Sequence, residues 1–86
     1  MLMMRDPIEE LRRRLTGGER IVFEYFVKNI SVGEILAEKE LKLYGVEEPL
    51  KVIRGLIEKG VLERGEGCFN LSKELREYLR RKRFFM

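Results

Sequence analysis

Apolar residues recur along most of the chain at intervals of three and four, which is the spacing of one face of an α-helix. This helical period stops over residues 61–71. There, short apolar runs on both sides of Gly65-Glu66-Gly67 predict two strands joined by a tight turn. The pattern therefore predicts a mostly helical α+β fold that contains one small hairpin.

The helix predicted at residues 47–59 runs directly into this hairpin. Pro49 suits its first turn, where the missing N–H is not needed, and Gly60 suits its end, because glycine adopts a left-handed cap at little cost. The apolar side of the helix is formed by Leu50, Ile53, Leu56 and Ile57. We expect this side to pack on the core and the opposite side to face outward.

A shorter helix is predicted before it. Ser31 is expected to cap this helix, with Glu34 three residues later as its partner in a capping box. The helix is expected to run through Lys42 and to end at Gly45. Tyr44 is expected to anchor the long turn that follows, and the alternative is that it stands exposed for a ligand. The residues expected to point inward are Ile35, Leu36 and Leu41.

The order helix, glycine, strand, glycine turn, strand and helix resembles that of the winged helix-turn-helix superfamily. Residues 53–64 resemble the end of a recognition helix entering its wing, and residues 31–38 resemble the first helix of the pair. The chain is similar in particular to small archaeal and bacterial MarR-like transcriptional regulators. The resemblance implies a single winged-helix domain over residues 1–86. Its expected parts are an N-terminal helix at 5–16, a winged core at 18–72, and a C-terminal helix with a basic-aromatic tail at 73–86.

The resemblance implies that helix 47–59 and the wing at 61–71 contact double-stranded DNA, while the terminal helices form a homodimer. Arginine and lysine suit DNA because they bind phosphates and read base edges. The predicted DNA contacts are Lys51, Arg54, Arg64, Arg80, Arg81, Lys82 and Arg83. The predicted dimer contacts are Ile8, Leu11, Leu15, Leu75, Tyr78, Leu79, Phe84 and Phe85.

The distribution of charge favours a second hypothesis. Residues 47–72 carry five acidic and four basic side chains, whereas residues 73–86 carry six basic and two acidic ones. The part expected to approach DNA is therefore slightly acidic, including Glu66 at the tip of the wing. On this alternative, the winged helix is a protein-interaction subunit of a replication, repair or transcription complex. It would dock through its acidic face and its C-terminal tail.

The composition argues against several other classes of protein. The chain has no His and one Cys, Cys68, so a disulfide within the chain and Ser–His or Cys–His catalysis are excluded, and a zinc site is nearly excluded. We therefore expect no enzyme, no metal and no cofactor, and we expect Cys68 to be a half-buried thiol. No apolar run approaches the roughly 20 residues of a membrane span, so we expect a cytoplasmic protein. Abundant Glu, Lys and Arg without Gln suggest a thermophilic, archaeal source.

Overall fold

The computed structural model describes the backbone of residues 6–84 and the side chains of residues 6–82. Within that range the chain forms five helices and three strands. In chain order they are α1 (Pro7–Arg14), α2 (Gly17–Asn29), β1 (Ser31–Gly33), α3 (Glu34–Leu43), α4 (Pro49–Glu58), β2 (Leu62–Arg64), β3 (Cys68–Leu71) and α5 (Lys73–Phe84). The fold is α+β and mostly helical, as the hydrophobic pattern predicts.

The three strands form one antiparallel sheet in the order β1-β3-β2. The predicted hairpin supplies β2 and β3, with Leu62 opposite Leu71. The sequence pattern did not predict β1, which pairs with the other edge of β3 and places Val32 opposite Phe69. The hairpin alone would leave that edge of β3 without hydrogen-bond partners, and β1 supplies them.

The predicted capping box at Ser31 is wrong, because this residue begins a strand. Its hydroxyl donates a 2.6 Å hydrogen bond to the side-chain oxygen of Asn70 across the sheet. Helix α3 begins instead at Glu34, with Gly33 as its cap. The N–H of Glu34 donates a 3.0 Å hydrogen bond to the carbonyl oxygen of Gly67 in the hairpin turn. Ser31 therefore forms a strand beside β3 and does not cap the helix, although its local sequence favours a cap.

Ile30 joins α2 to β1 in a strained backbone conformation. Its φ is 68° and its ψ is −58°, a region that β-branched residues rarely adopt. Its carbonyl oxygen accepts a 2.7 Å hydrogen bond from the N–H of Leu71 on β3. The sharp turn at Ile30 brings β1 beside β3 immediately after a helix.

The core forms around α2, which packs against α4. Phe26 of α2 is fully buried, as is Leu56 on the predicted inner side of α4. On β3, Phe69 is buried while Cys68 is half-buried, as the alternation of side chains along a strand predicts. The buried sides of these three elements follow the sequence pattern.

The side of helix α3 that faces the core was predicted correctly at Leu41 and wrongly at two other residues. The prediction that Ile35 and Leu36 point inward is wrong, since these side chains are 76% and 52% exposed. Leu41, which was predicted to point inward, is fully buried together with Ala37. These two residues lie four apart and therefore share one side of the helix. Because α3 follows β1 directly, the sheet sets its orientation.

An ion pair joins α1 to α2. The guanidinium of Arg12 on α1 donates hydrogen bonds to both carboxylate oxygens of Glu24 on α2, one of them 2.9 Å long. These hydrogen bonds, helped by the positive charge of Arg12 and opposed by partial burial, hold the pKa of Glu24 below its ordinary value. The pair therefore stabilises the docking of α1 while Glu24 is ionised.

We expect Glu24→Gln to lower the free energy of unfolding at neutral pH by up to about 1 kcal/mol, the usual contribution of a partly exposed ion pair. A carboxylate whose folded-state pKa is depressed stabilises the protein above its unfolded-state pKa, and this stability is lost as the pH falls through the folded-state pKa. In urea titrations, the gap between wild type and variant should therefore close as the pH is lowered below about 4.

The matched control is Glu66→Gln in the exposed hairpin turn, which should differ little from wild type at either pH. A gap for Glu24→Gln that is the same at neutral and acidic pH would contradict the assigned role of the ion pair.

Candidate functional site

The residues predicted to contact DNA lie on three elements. Lys51 and Arg54 lie on α4, Arg64 lies on β2, and Arg80, Arg81, Lys82 and Arg83 lie on α5. Several already bind carboxylates of the same chain: Arg64 lies 3.4 Å from Glu34, and Lys82 lies 3.3 Å from Asp6. Lys51 lies 3.8 Å from the carboxylate of Glu48, the residue immediately before α4. The side chain of Arg83 lies outside the described residues.

Most residues predicted to form a dimer interface are used within one chain. Three of them are buried in the core: Ile8, Leu15 and Leu75. Three others are partly buried and pack against it: Leu11, Tyr78 and Leu79. The side chains of Phe84 and Phe85 lie outside the described residues. The homodimer stays a prediction, and the three buried side chains have little surface left for a second copy.

The outward side of α3 carries the most exposed aliphatic residues of the described chain. We call this surface the α3 face, and its members are Ile35, Leu36, Lys39 and Leu43. Leu43 is 84% exposed and Ile35 is 76% exposed. Both lie four residues from Lys39, so these three residues share one side of the helix. Exposed apolar patches of this kind mark sites where proteins or ligands bind.

A groove of about 690 Å³ lies beside this face, between α2 and α3. We call it the α2–α3 groove, and its apolar lining is formed by Ile21, Tyr25 and Tyr44. The ring of Tyr44 meets that of Tyr25 edge-on, with 6.1 Å between the ring centres. Tyr44 nevertheless remains 60% exposed. Its contact with α2 therefore only partly anchors the turn after α3 and leaves the ring accessible.

The carboxylates that line this groove are engaged within the chain. The hydroxyl of Tyr25 donates a 2.5 Å hydrogen bond to Glu40, and burial together with this carboxylate raises the pKa of Tyr25 far above its ordinary value. Glu24 is bound by α1, as described above. By contrast, Lys28 in the groove and Lys39 on the α3 face form no ion pair with any described residue. Arg20 also lines the groove, whereas the charge of Glu40 is not offset by Tyr25, which is neutral. Since Glu24 is paired with Arg12, the cations Arg20, Lys28 and Lys39 outnumber the one carboxylate that lacks a cationic partner among the described residues. The surface therefore carries more positive than negative charge.

Sequence reasoning missed the α3 face, although a signal was present. Helix α3 is ten residues long and has apolar residues on two sides, one with Ala37 and Leu41 and the other with Ile35 and Leu36. A short helix at the edge of a small core buries only one of its sides. The pattern therefore implies that one apolar side stays exposed, but it does not say which one.

The exposed surface of the described residues indicates the class of protein to which the chain belongs. Among residues 6–84, no helix is long and apolar enough to cross a membrane, and no group of three or more acidic or Cys side chains is placed to hold a metal ion. The unusual feature of the described surface is an apolar face with Lys39 at its centre, next to a groove that is lined in part by Lys28. Such a surface is typical of a small protein-binding module.

Residues 16–77 match the family described as PolB1 Binding Protein 2, and the chain belongs to this family. The match runs from the residue before α2 into α5, so it includes both the α3 face and the α2–α3 groove. No curated protein matches the chain significantly.

The family corrects the first hypothesis from the sequence. The predicted similarity to MarR-like regulators is wrong, and DNA binding for transcription regulation is not supported as the main function. The match favours the alternative hypothesis, in which the chain is a protein-interaction subunit of a replication complex. The error arose because a helix followed by a glycine-turn hairpin predicts an arrangement of elements, and one arrangement serves many functions.

Proposed function

We propose that this chain is a non-catalytic accessory subunit that binds polymerase B1 in a replication complex. The observation that carries this proposal is the family match over residues 16–77, whose description names the polymerase as what its members bind. The exposed α3 face within the matched region supports it, because a protein-binding subunit needs accessible apolar surface.

The polar contacts of the groove support a non-catalytic role. The hydrogen bond between Tyr25 and Glu40 joins α2 to α3, and the ion pair between Arg12 and Glu24 joins α1 to α2. Burial and the hydrogen bond to Glu40 explain the raised pKa of Tyr25, and the hydrogen bonds from Arg12 explain the lowered pKa of Glu24. Stabilising contacts of this kind require no role in chemistry.

The described fold also supports a winged helix-turn-helix arrangement for the core of the subunit. In this assignment α3 and α4 are the helix pair, and β2 with β3 is the wing. The order of elements and the sheet order β1-β3-β2 agree with it. Winged helices serve as protein-interaction modules as well as DNA readers, so this assignment is consistent with the proposed function.

The proposal is tested by mixing the purified chain with purified polymerase B1 in the absence of DNA. Isothermal titration calorimetry should give a saturable binding curve, and size-exclusion chromatography with light scattering should show a stoichiometric complex. Leaving out DNA ensures that the two proteins are not merely bridged by a shared duplex. If neither method detects a complex at concentrations well above those of a specific interaction, the proposed function is wrong.

A further inference from the structure

The α3 face and the α2–α3 groove have the shape and charge of a docking surface for a single helix. We propose that they bind an acidic amphipathic helix of polymerase B1, an inference that rests on the proposed function. The apolar side of the partner helix packs on Ile35 and Leu43, and its carboxylates lie near Lys28 and Lys39.

The two parts of this surface are continuous on α3. Leu36 lies on the α3 face, Glu40 lies four residues later on the border, and Tyr44 lies four residues beyond that in the groove. Residues at this spacing are neighbours along one side of a helix. A partner that covers the face therefore also reaches the opening of the groove.

The dimensions suit a short helix. Helix α3 has ten residues, which gives it a length of about 15 Å, and Ile35 and Leu43 lie about 12 Å apart along its axis. This distance corresponds to about two turns of a partner helix, whose apolar anchors recur at intervals of three, four and seven residues. The groove then accommodates one bulky apolar side chain between Ile21 and Tyr44.

An extended strand does not suit this surface. A strand adds to a partner through unpaired backbone groups at the edge of a sheet. The backbone groups of α3 are used within the helix itself, and the open sheet edges of the described residues belong to β1 and β2. Side-chain packing between two helices suits a surface that is itself one side of a helix.

The charges favour an acidic partner over a second copy of this chain. Lys39 lies midway between Ile35 and Leu43, at the centre of the α3 face. Two copies that paired their α3 faces about a two-fold axis would bring both Lys39 side chains together, and like charges repel. Glu24 is paired with Arg12, which leaves Glu40 as the one carboxylate beside the cations Arg20, Lys28 and Lys39. The excess of positive charge favours a partner that supplies carboxylates.

The test measures the affinity of full-length variants for polymerase B1 by calorimetry. Lys39→Glu and Leu43→Asp should each weaken binding by about tenfold or more, because one reverses the central charge and the other removes an apolar anchor. The matched control is Arg54→Glu, which makes the same charge change at an exposed position of α4. It should bind within about twofold of wild type. Circular dichroism should show that all three variants are folded.

The outcomes separate this inference from the proposed function. If the wild-type chain binds the polymerase and Lys39→Glu and Leu43→Asp bind equally well, the α3 face is not the docking surface, although the proposed function stands. Equal loss in Arg54→Glu would indicate a general charge effect and would also overturn the inference. The inference likewise fails if light scattering shows a dimer of the free chain that Leu43→Asp dissociates. If the wild-type chain does not bind at all, it is the proposed function that fails.

Discussion

Replacement of Phe26 by alanine is expected to lower the free energy of unfolding by about 3–5 kcal/mol. Phe26 is fully buried in α2, and its ring meets that of Tyr25 edge-on with 5.1 Å between the ring centres. Truncation removes both this contact and a large apolar volume that the surrounding side chains cannot refill. Since domains of this size are stable by only about 5–15 kcal/mol, the variant should lose much of its stability.

Urea denaturation followed by circular dichroism measures this loss directly. Leu43→Ala is the matched control, because it also shortens a large apolar side chain but at a position that is 84% exposed. The control should change the free energy of unfolding by less than about 0.5 kcal/mol. If the two variants are destabilised equally, the described division between core and surface is wrong.

Ala37→Asp is expected to destabilise the protein by about 3–5 kcal/mol at neutral pH. Ala37 is fully buried on the inner side of α3, so the new carboxylate would lose its hydration without gaining a positive partner. Leu36→Asp places the same charge one residue earlier, on the α3 face, where half of the side chain is exposed. This control should fold normally.

Thermal melts at neutral and acidic pH test the reason for the difference. Protonation removes the buried charge, so the deficit of Ala37→Asp should become smaller as the pH falls. A melting temperature for Leu36→Asp as low as that for Ala37→Asp would show that α3 is not oriented as described. It would also weaken the assignment of the α3 face as a docking surface.

The two pairs of variants distinguish residues that stabilise the fold from exposed residues that do not. Phe26 and Ala37 maintain the fold, whereas Leu36 and Leu43 contribute less to it, because about half of Leu36 and most of Leu43 are exposed. Exposed aliphatic residues raise the risk of aggregation, and the docking surface proposed above would account for their presence on α3. The same short helix thus contributes one side to the core and leaves the other side exposed.

The helix that precedes the hairpin shows what local pattern determines. Pro49 begins α4, and Gly60 follows its end with a φ of +80°. Ile53 and Leu56 are buried on the predicted side. Each of these features depends on the residue itself or on neighbours within two turns. Local sequence therefore determined this helix, the hairpin after it and the mostly helical class of the fold.

Only the tertiary structure decided which side of α3 is exposed. Ser31 has the local chemistry of a helix cap, but in the structure it belongs to a strand that pairs with β3. Helix α3 therefore begins at Glu34, later than the sequence pattern predicts. In the resulting orientation of α3, Leu41 is buried, whereas Leu43, two residues later, is exposed. Pairing between residues nearly 40 positions apart, such as Ser31 and Asn70, set this choice. A pattern read over one or two helical turns does not contain such contacts.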